Sequence, residues 1–179
     1  MKLERIIENA FFPSNVVAVA AIILIVYLIN SPHFFNHLII FLVSALVFLI
    51  VFKFSKKVKS YTKRYTYASS SALIVFIILL FFIQVSKEFL FGGLTLFFAN
   101  LIIHFIRDVW KISAHVLIYT AFCTSFSLIN INFVFLFVFL PFVAWSRLKL
   151  KRHNLEQIVV AFVLGIIIPF IINHILSFF

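Results

Sequence analysis

Charge is scarce in this 179-residue chain: Asp, Glu, Lys and Arg together make up 11% of it, and hydrophobic types 65%. Soluble domains run at roughly a quarter and a half, so a soluble fold is excluded. Cysteine occurs once, as Cys123 in an apolar stretch, which leaves no intrachain disulfide and no thiolate metal motif. Only three glycines are present, with no Gly-rich nucleotide loop and no Walker-type sequence. His and acidic residues nowhere fall at metal-ligand spacing. Also missing is the apolar/polar alternation of a membrane β-barrel; the apolar runs are continuous.

Those runs are what the chain has in place of charge. Stretches without Asp, Glu, Lys or Arg cover 9–52, 65–86, 89–106, 112–146 and 157–179. A transmembrane helix takes about 20 apolar residues, and backbone groups in lipid must be satisfied within the segment, which demands helices. The first stretch is long enough for two spans and is divided at Asn30-Ser31-Pro32, where proline and its predecessor disfavour helix. The fourth also holds two and is divided at Asn130-Ile131-Asn132. The expected fold is all-α: an integral membrane helical bundle of about seven transmembrane helices, in one polytopic domain over 1–179. Lys2 and Arg5 precede an apolar run as in a signal peptide, but no small-residue cleavage site follows, so the run is read as the first span. Leu3, Ile6, Ile7, Ala10 and Phe11 have the spacing of a short interfacial helix ahead of it.

The net charge of +10 is not spread as in a nucleic-acid-binding protein. Seven spans put Lys2, Arg5, the basic run 53–64, Arg107, Lys111, Arg147, Lys149, Lys151 and Arg152 on one face. That is fourteen basic residues, with Lys87 alone opposite. The positive-inside rule makes that face cytoplasmic in the cell membrane. The pair Lys87-Glu88, beside Gly92-Gly93, reads as a turn between spans three and four.

Three polar clusters interrupt the apolar chain on the basic face: Lys57 with Arg64, then Lys111-Ile112-Ser113-Ala114-His115, then Ser146-Arg147 with His153. Charge retained in such a chain marks function. Arginine's planar fork matches phosphate oxygens bidentately, and lysine adds a compact charge. Ser113, near the start of span five, would lie beside free backbone N–H groups that attract anions. Of two histidines, one could attack phosphorus and the other protonate the leaving oxygen.

In order and type these residues resemble the type 2 phosphatidic acid phosphatase superfamily, which also includes the vanadium haloperoxidases. Its signature is Lys-x6-Arg-Pro, then Pro-Ser-Gly-His, then Ser-Arg-x5-His-x3-Asp. Here it reads Lys57-x6-Arg64-Tyr65, Ile112-Ser113-Ala114-His115 and Ser146-Arg147-x5-His153-x3-Gln157. The resemblance implies a six-helix phosphatase-like core preceded by one N-terminal helix, with no metal and no cofactor. By the same resemblance, Lys57, Arg64, Ser113 and Arg147 hold phosphate and Ser146 supports the site. His115 is then the general acid and His153 the nucleophile. The main departure is Gln157 in place of the carboxylate that orients the nucleophile. Its amide carbonyl still accepts from Nδ1–H, but without charge it stabilises less.

The expected activity is hydrolysis of a membrane lipid phosphate through a phosphohistidine. The partners are the substrate and the lipid bilayer, without nucleic acid. Phosphatidate-type lipids and polyprenyl phosphates or diphosphates fit equally, and the oligomeric state stays open. Two alternatives stand beside it: a phosphatase-like protein that binds head groups without efficient turnover, and a transporter using His104 and His174 within its spans.

Overall fold

The computed structural model describes residues 3–55, 61–107 and 109–178; the side chains of 8, 9, 13, 14, 61–66 and 107 are outside the description. The described residues form α1 (Leu3–Ala10), α2 (Pro13–Tyr27), α3 (Phe34–Phe54), α4 (Tyr61–Phe82), α5 (Lys87–Arg107), α6 (Ala114–Ile129), a 3₁₀ segment (Ile131–Phe139), α7 (Leu140–Lys149) and α8 (Leu155–Leu176), with no strand among them. Four helical stretches are long and apolar enough to cross a membrane: Phe34–Phe54, Lys87–Ile106, Ile131–Lys149 and Leu155–Leu176. At 1.5 Å per residue such lengths reach about 30 Å, the thickness of the hydrocarbon core. Asn15–Tyr27, Tyr67–Phe82 and Ala114–Ile129 are apolar but shorter. Large apolar side chains along these helices, Phe35, Phe54, Phe81 and Phe82 among them, are exposed. Such surface suits lipid rather than water.

Breaks fall where asparagine and proline put them. Chain direction changes between α2 and α3 at residues 28–33, and α6 ends at Asn130, whose Oδ1 accepts from Asn132 N at 3.0 Å. The sixth apolar stretch is not one α-helix. Its first nine residues are 3₁₀, an unusual length for that geometry. Pro141 explains the switch point. It has no N–H to offer the Phe137 carbonyl four residues back, and that carbonyl is taken instead by Leu140 N–H, three residues on.

The chain divides into two compact units, residues 23–93 and residues 1–22 with 94–179. In the first, α3 packs along α4. His37, in the first turn of α3, is fully buried: its Nε2 accepts from Ser86 N at 3.0 Å and its ring stacks on Phe89 at 4.5 Å. Asn36 Nδ2 donates to Gln84 O at 2.7 Å. Together they clasp the connection into α5, so His37, which by its place beside Phe34-Phe35 in the turn opposite the basic face reads as interfacial, is a core residue. The expected turn at Lys87 to Gly93 is also corrected. Lys87 opens α5, the chain turns just before it, and both glycines are helical. The Phe76 ring packs directly on the helix at Gly93, where a Cβ would sit 2.0 Å from its Cζ.

In the second unit α6 is the centre, with every residue from Val116 to Phe126 buried. Against it lies a stripe of α8 comprising Ile158, Ala161, Gly165, Ile168 and Ile172. Small residues four apart let helix backbones approach in lipid. A Cβ on Gly165 would meet Thr120 Cβ at 2.6 Å and Leu117 O at 2.9 Å. Tyr119 of α6 donates to Leu136 O of the 3₁₀ segment at 2.8 Å. The edge of its ring meets Phe11, and α1 packs on α7. Leu3 and Ile6 of α1 are exposed, as the interfacial reading of this helix requires.

Candidate active site

Two helix starts, of α6 and α8, and one helix end, of α7, build the site in the second unit. Ser113 is the N-cap of α6 in extended conformation and makes no side-chain cap bond. The α6 amides at 114–116 precede the first closed turn, whose bond is Leu117 N to Ser113 O. Such amides form an anion site. Ser113 is fully buried, and its Oγ has no hydrogen-bond partner among the described residues. The second residue of α6, His115, lies between two groups: the Phe12 ring, near perpendicular to it with centroids 5.4 Å apart, and Arg147 Nη1, 3.4 Å from its Nε2. A guanidinium only donates, so this contact keeps His115 Nε2 as the acceptor.

Arg147 is 2% exposed. Withdrawing a guanidinium from water is costly. Its Nε donates to Ser146 Oγ at 3.4 Å, and Ser146 Oγ donates to Val143 O at 2.8 Å. Ser146 thus ties Arg147 to the preceding turn of α7.

Beyond Arg147, α7 ends in a Schellman motif: Arg152 N donates to Arg147 O at 3.0 Å and Lys151 N to Leu148 O at 2.9 Å. The residue that must turn left-handed is Lys151, at φ 52°. Glycine is usual there, and a side chain costs roughly 1–2 kcal/mol. The turn delivers His153 and then Asn154, the N-cap of α8. A reciprocal capping box closes α8: Asn154 Oδ1 accepts from Gln157 N at 2.9 Å, and Gln157 Oε1 accepts from Asn154 N at 3.3 Å.

The capping box settles the histidine. Because Gln157 Oε1 faces the Asn154 amide, the oxygen end of the side chain is identified, and it lies 3.0 Å from His153 Nδ1. The Lys111 carbonyl lies 3.3 Å from the same nitrogen. Both are acceptors, so Nδ1 carries the proton and Nε2 carries the lone pair. Burial pushes the His153 imidazole below its ordinary value of 6.5. The Gln157 and Lys111 hydrogen bonds oppose that shift, and the Lys111 and Arg147 charges add to it. A neutral ring with a basic Nε2 is the form a nucleophile needs.

His153 lines an open depression of about 330 Å³ with Lys111, Leu148, Lys151, Arg152, Asn154 and Gln157. Ligand sites start at about this volume. Ser113, His115 and Arg147 do not line it, and Ser113 and Arg147 are buried. The second and third motifs therefore come together through two contacts, a half-buried one of Arg147 with His115 and an exposed one of His153 with the Lys111 carbonyl, and His153 also meets Gln157 within the third motif. The first motif does not enter this picture. Lys57 lies outside the described residues, and Arg64 is in the first turn of α4, in the other unit, with its side chain outside the description. Asp108 lies outside them as well.

Three participants escaped the sequence reading. Asn154 was legible, since Asn-x-x-Gln before an apolar run is a capping signature. Phe12 and the Lys111 carbonyl carry no local signal, because each meets its histidine only through tertiary packing. His104 and His174 are exposed on their helices, each edge-on to a phenylalanine. The chain matches no family model, no curated protein and no solved structure.

Proposed function

We propose that this membrane protein is a lipid-phosphate phosphatase acting through a phosphohistidine at His153. The observation that carries the reading is the anchoring of His153 Nδ1 by two acceptors, which leaves Nε2 free as the nucleophile in an open, cation-lined depression. In the reaction Nε2 attacks phosphorus and the bond from phosphorus to the leaving oxygen breaks. Water then attacks the phosphohistidine, releasing inorganic phosphate and restoring the imidazole. Arg147, Ser113 and the first amides of α6 are the groups suited to the equatorial oxygens, where charge stabilisation drives phosphoryl transfer. His115 can serve as acid only once Arg147 turns to the substrate, since the two now face each other. Reading all seven apolar stretches as spans puts 107–113 and 147–154 on one face, with the basic run 53–64, and that face is cytoplasmic by charge. A site at that depth meets head groups by lateral diffusion, so the substrate is amphiphilic.

One observation favours a second reading, head-group binding without efficient turnover. Gln157 has a purely structural task in the α8 capping box, which it would keep in an inactive protein. The transporter reading has no such support, because His104 and His174 are exposed on their helices.

Purified protein given a panel of lipid phosphates tests these readings. Phosphate release that is abolished by His153→Ala, with phosphohistidine trapped at residue 153 in the wild type, is the expected result. Release that survives His153→Ala overturns the mechanism. Head-group binding with no release by the wild type selects the second reading.

A further inference from the structure

Three cations outside the phosphatase-like motifs, Lys111, Lys151 and Arg152, line the depression with His153. Topology alone accounts for cations in this loop, but not for one at residue 151. Lys151 is the only non-glycine residue with positive φ among the described residues. Glycine would hold that turn without strain, whereas the lysine keeps a strained backbone and adds a charge beside the nucleophile.

A second observation concerns the leaving group. Before substrate binds, His115 Nε2 faces the Arg147 guanidinium as an acceptor, so that nitrogen enters the reaction without a proton to give. An alcohol leaving group needs protonation; a phosphate does not, since its second pKa is about 6.

We infer that Lys111, Lys151 and Arg152 form a second anion subsite, making the substrate a lipid diphosphate rather than a monophosphate. The inference rests on the phosphatase reading of His153. His153 Nε2 attacks the terminal phosphorus, the bond to the bridging oxygen breaks, and the lipid monophosphate leaves as an anion neutralised by the three cations. Water then hydrolyses the phosphohistidine to inorganic phosphate. No proton has to come from His115 in the first step.

The full chain in detergent tests this in two ways. Inorganic pyrophosphate and inorganic phosphate are titrated calorimetrically, and release of phosphate is measured from a polyprenyl diphosphate and from its monophosphate. Lys151→Gly is expected to raise the melting temperature while lowering pyrophosphate affinity about tenfold, the worth of one charge-assisted hydrogen bond. The ratio of diphosphate to monophosphate kcat/KM should fall by the same factor. Lys151→Arg should hold the ratio, and so should Lys149→Gln, which removes one charge from outside the depression. An unchanged ratio in Lys151→Gly, or equal losses for pyrophosphate and phosphate, overturns the subsite. If nothing is hydrolysed but pyrophosphate still binds in preference and depends on Lys151, the phosphatase reading fails and the subsite stands. If phosphate is released with no preference for the diphosphate, the subsite fails and the phosphatase reading stands.

Discussion

Gln157 accepts two N–H groups with one oxygen: His153 Nδ1 at 3.0 Å and Asn154 N at 3.3 Å. Removing it therefore acts twice. Gln157→Ala opens the capping box, and losing a cap costs about 1 kcal/mol of stability. It also leaves the Lys111 carbonyl, at 3.3 Å, as the only acceptor for Nδ1 among the described residues. The ring then loses one neutral hydrogen bond, worth about 1 kcal/mol, so kcat should fall about fivefold to tenfold. Gln157→Glu is the sharper change. It keeps length and both acceptor positions, and turns a neutral bond into a charged one. Charged bonds are worth roughly 1.5–3 kcal/mol against roughly 0.5–1.5 for neutral ones. Formation of the phosphohistidine should therefore gain about tenfold, because the phospho-imidazolium that arises as Nε2 bonds to phosphorus is now paired with a carboxylate. The pH dependence supplies an independent sign. His153 must be neutral at Nε2 to attack, and burial sets its pKa below 6.5, so the acid limb of kcat/KM lies below that value. A carboxylate at 157 favours the protonated ring, so the limb moves to higher pH. The assay is phosphate release across pH 4–8 alongside thermal melting. If Gln157→Ala melts earlier but turns over like the wild type, Gln157 only caps α8 and the orienting role is refuted. A limb that stays in place in Gln157→Glu refutes it too.

Two further outcomes test the architecture. Gly165→Ala should lower the melting temperature more than Gly93→Ala, because the new Cβ of the first meets the Leu117 backbone carbonyl and Thr120 Cβ, while that of the second meets a Phe76 ring that can swing aside. Overpacking of the first kind costs roughly 1–3 kcal/mol; equal melting points would contradict the close α6–α8 approach. Cysteines introduced at Ser31 and Lys149 should label from opposite sides of the membrane, with little background because Cys123 is buried. Labelling of both from one side excludes seven spans.

Hydropathy and breakers are local signals, and where they act alone the sequence reading holds. The turns at residues 28–33 and at Asn130, the helicity of residues 3–10 and the membrane character of the long helices all follow from composition over one segment. Where packing competes, it fails. Gly92-Gly93 reads as a turn, yet glycine in lipid also marks close approach, and only the position of Phe76 separates the two meanings. His37 reads as interfacial because it follows Phe34-Phe35 at the turn opposite the basic face, and becomes core because Ser86 and Phe89 close over it.

The site divides along the same line. Residue identity at fixed spacing determined by itself which side chains could handle phosphate: Ser113 and His115 at a helix start, Ser146 and Arg147 at a helix end, and His153 four residues before Gln157. That last spacing spans a helix entry, so the His153–Gln157 contact was implicit in the chain. Only the tertiary structure decided that Arg147 faces His115 rather than His153's depression, and that Phe12 meets His115. It also decided that the Lys111 carbonyl shares the Nδ1 proton, fixing the tautomer of His153. These contacts join residues 32, 103 and 42 positions apart. No local preference encodes a distance of that kind; it arises when α6 is buried by its neighbours and brings its own N-terminus to the ends of α7 and α8.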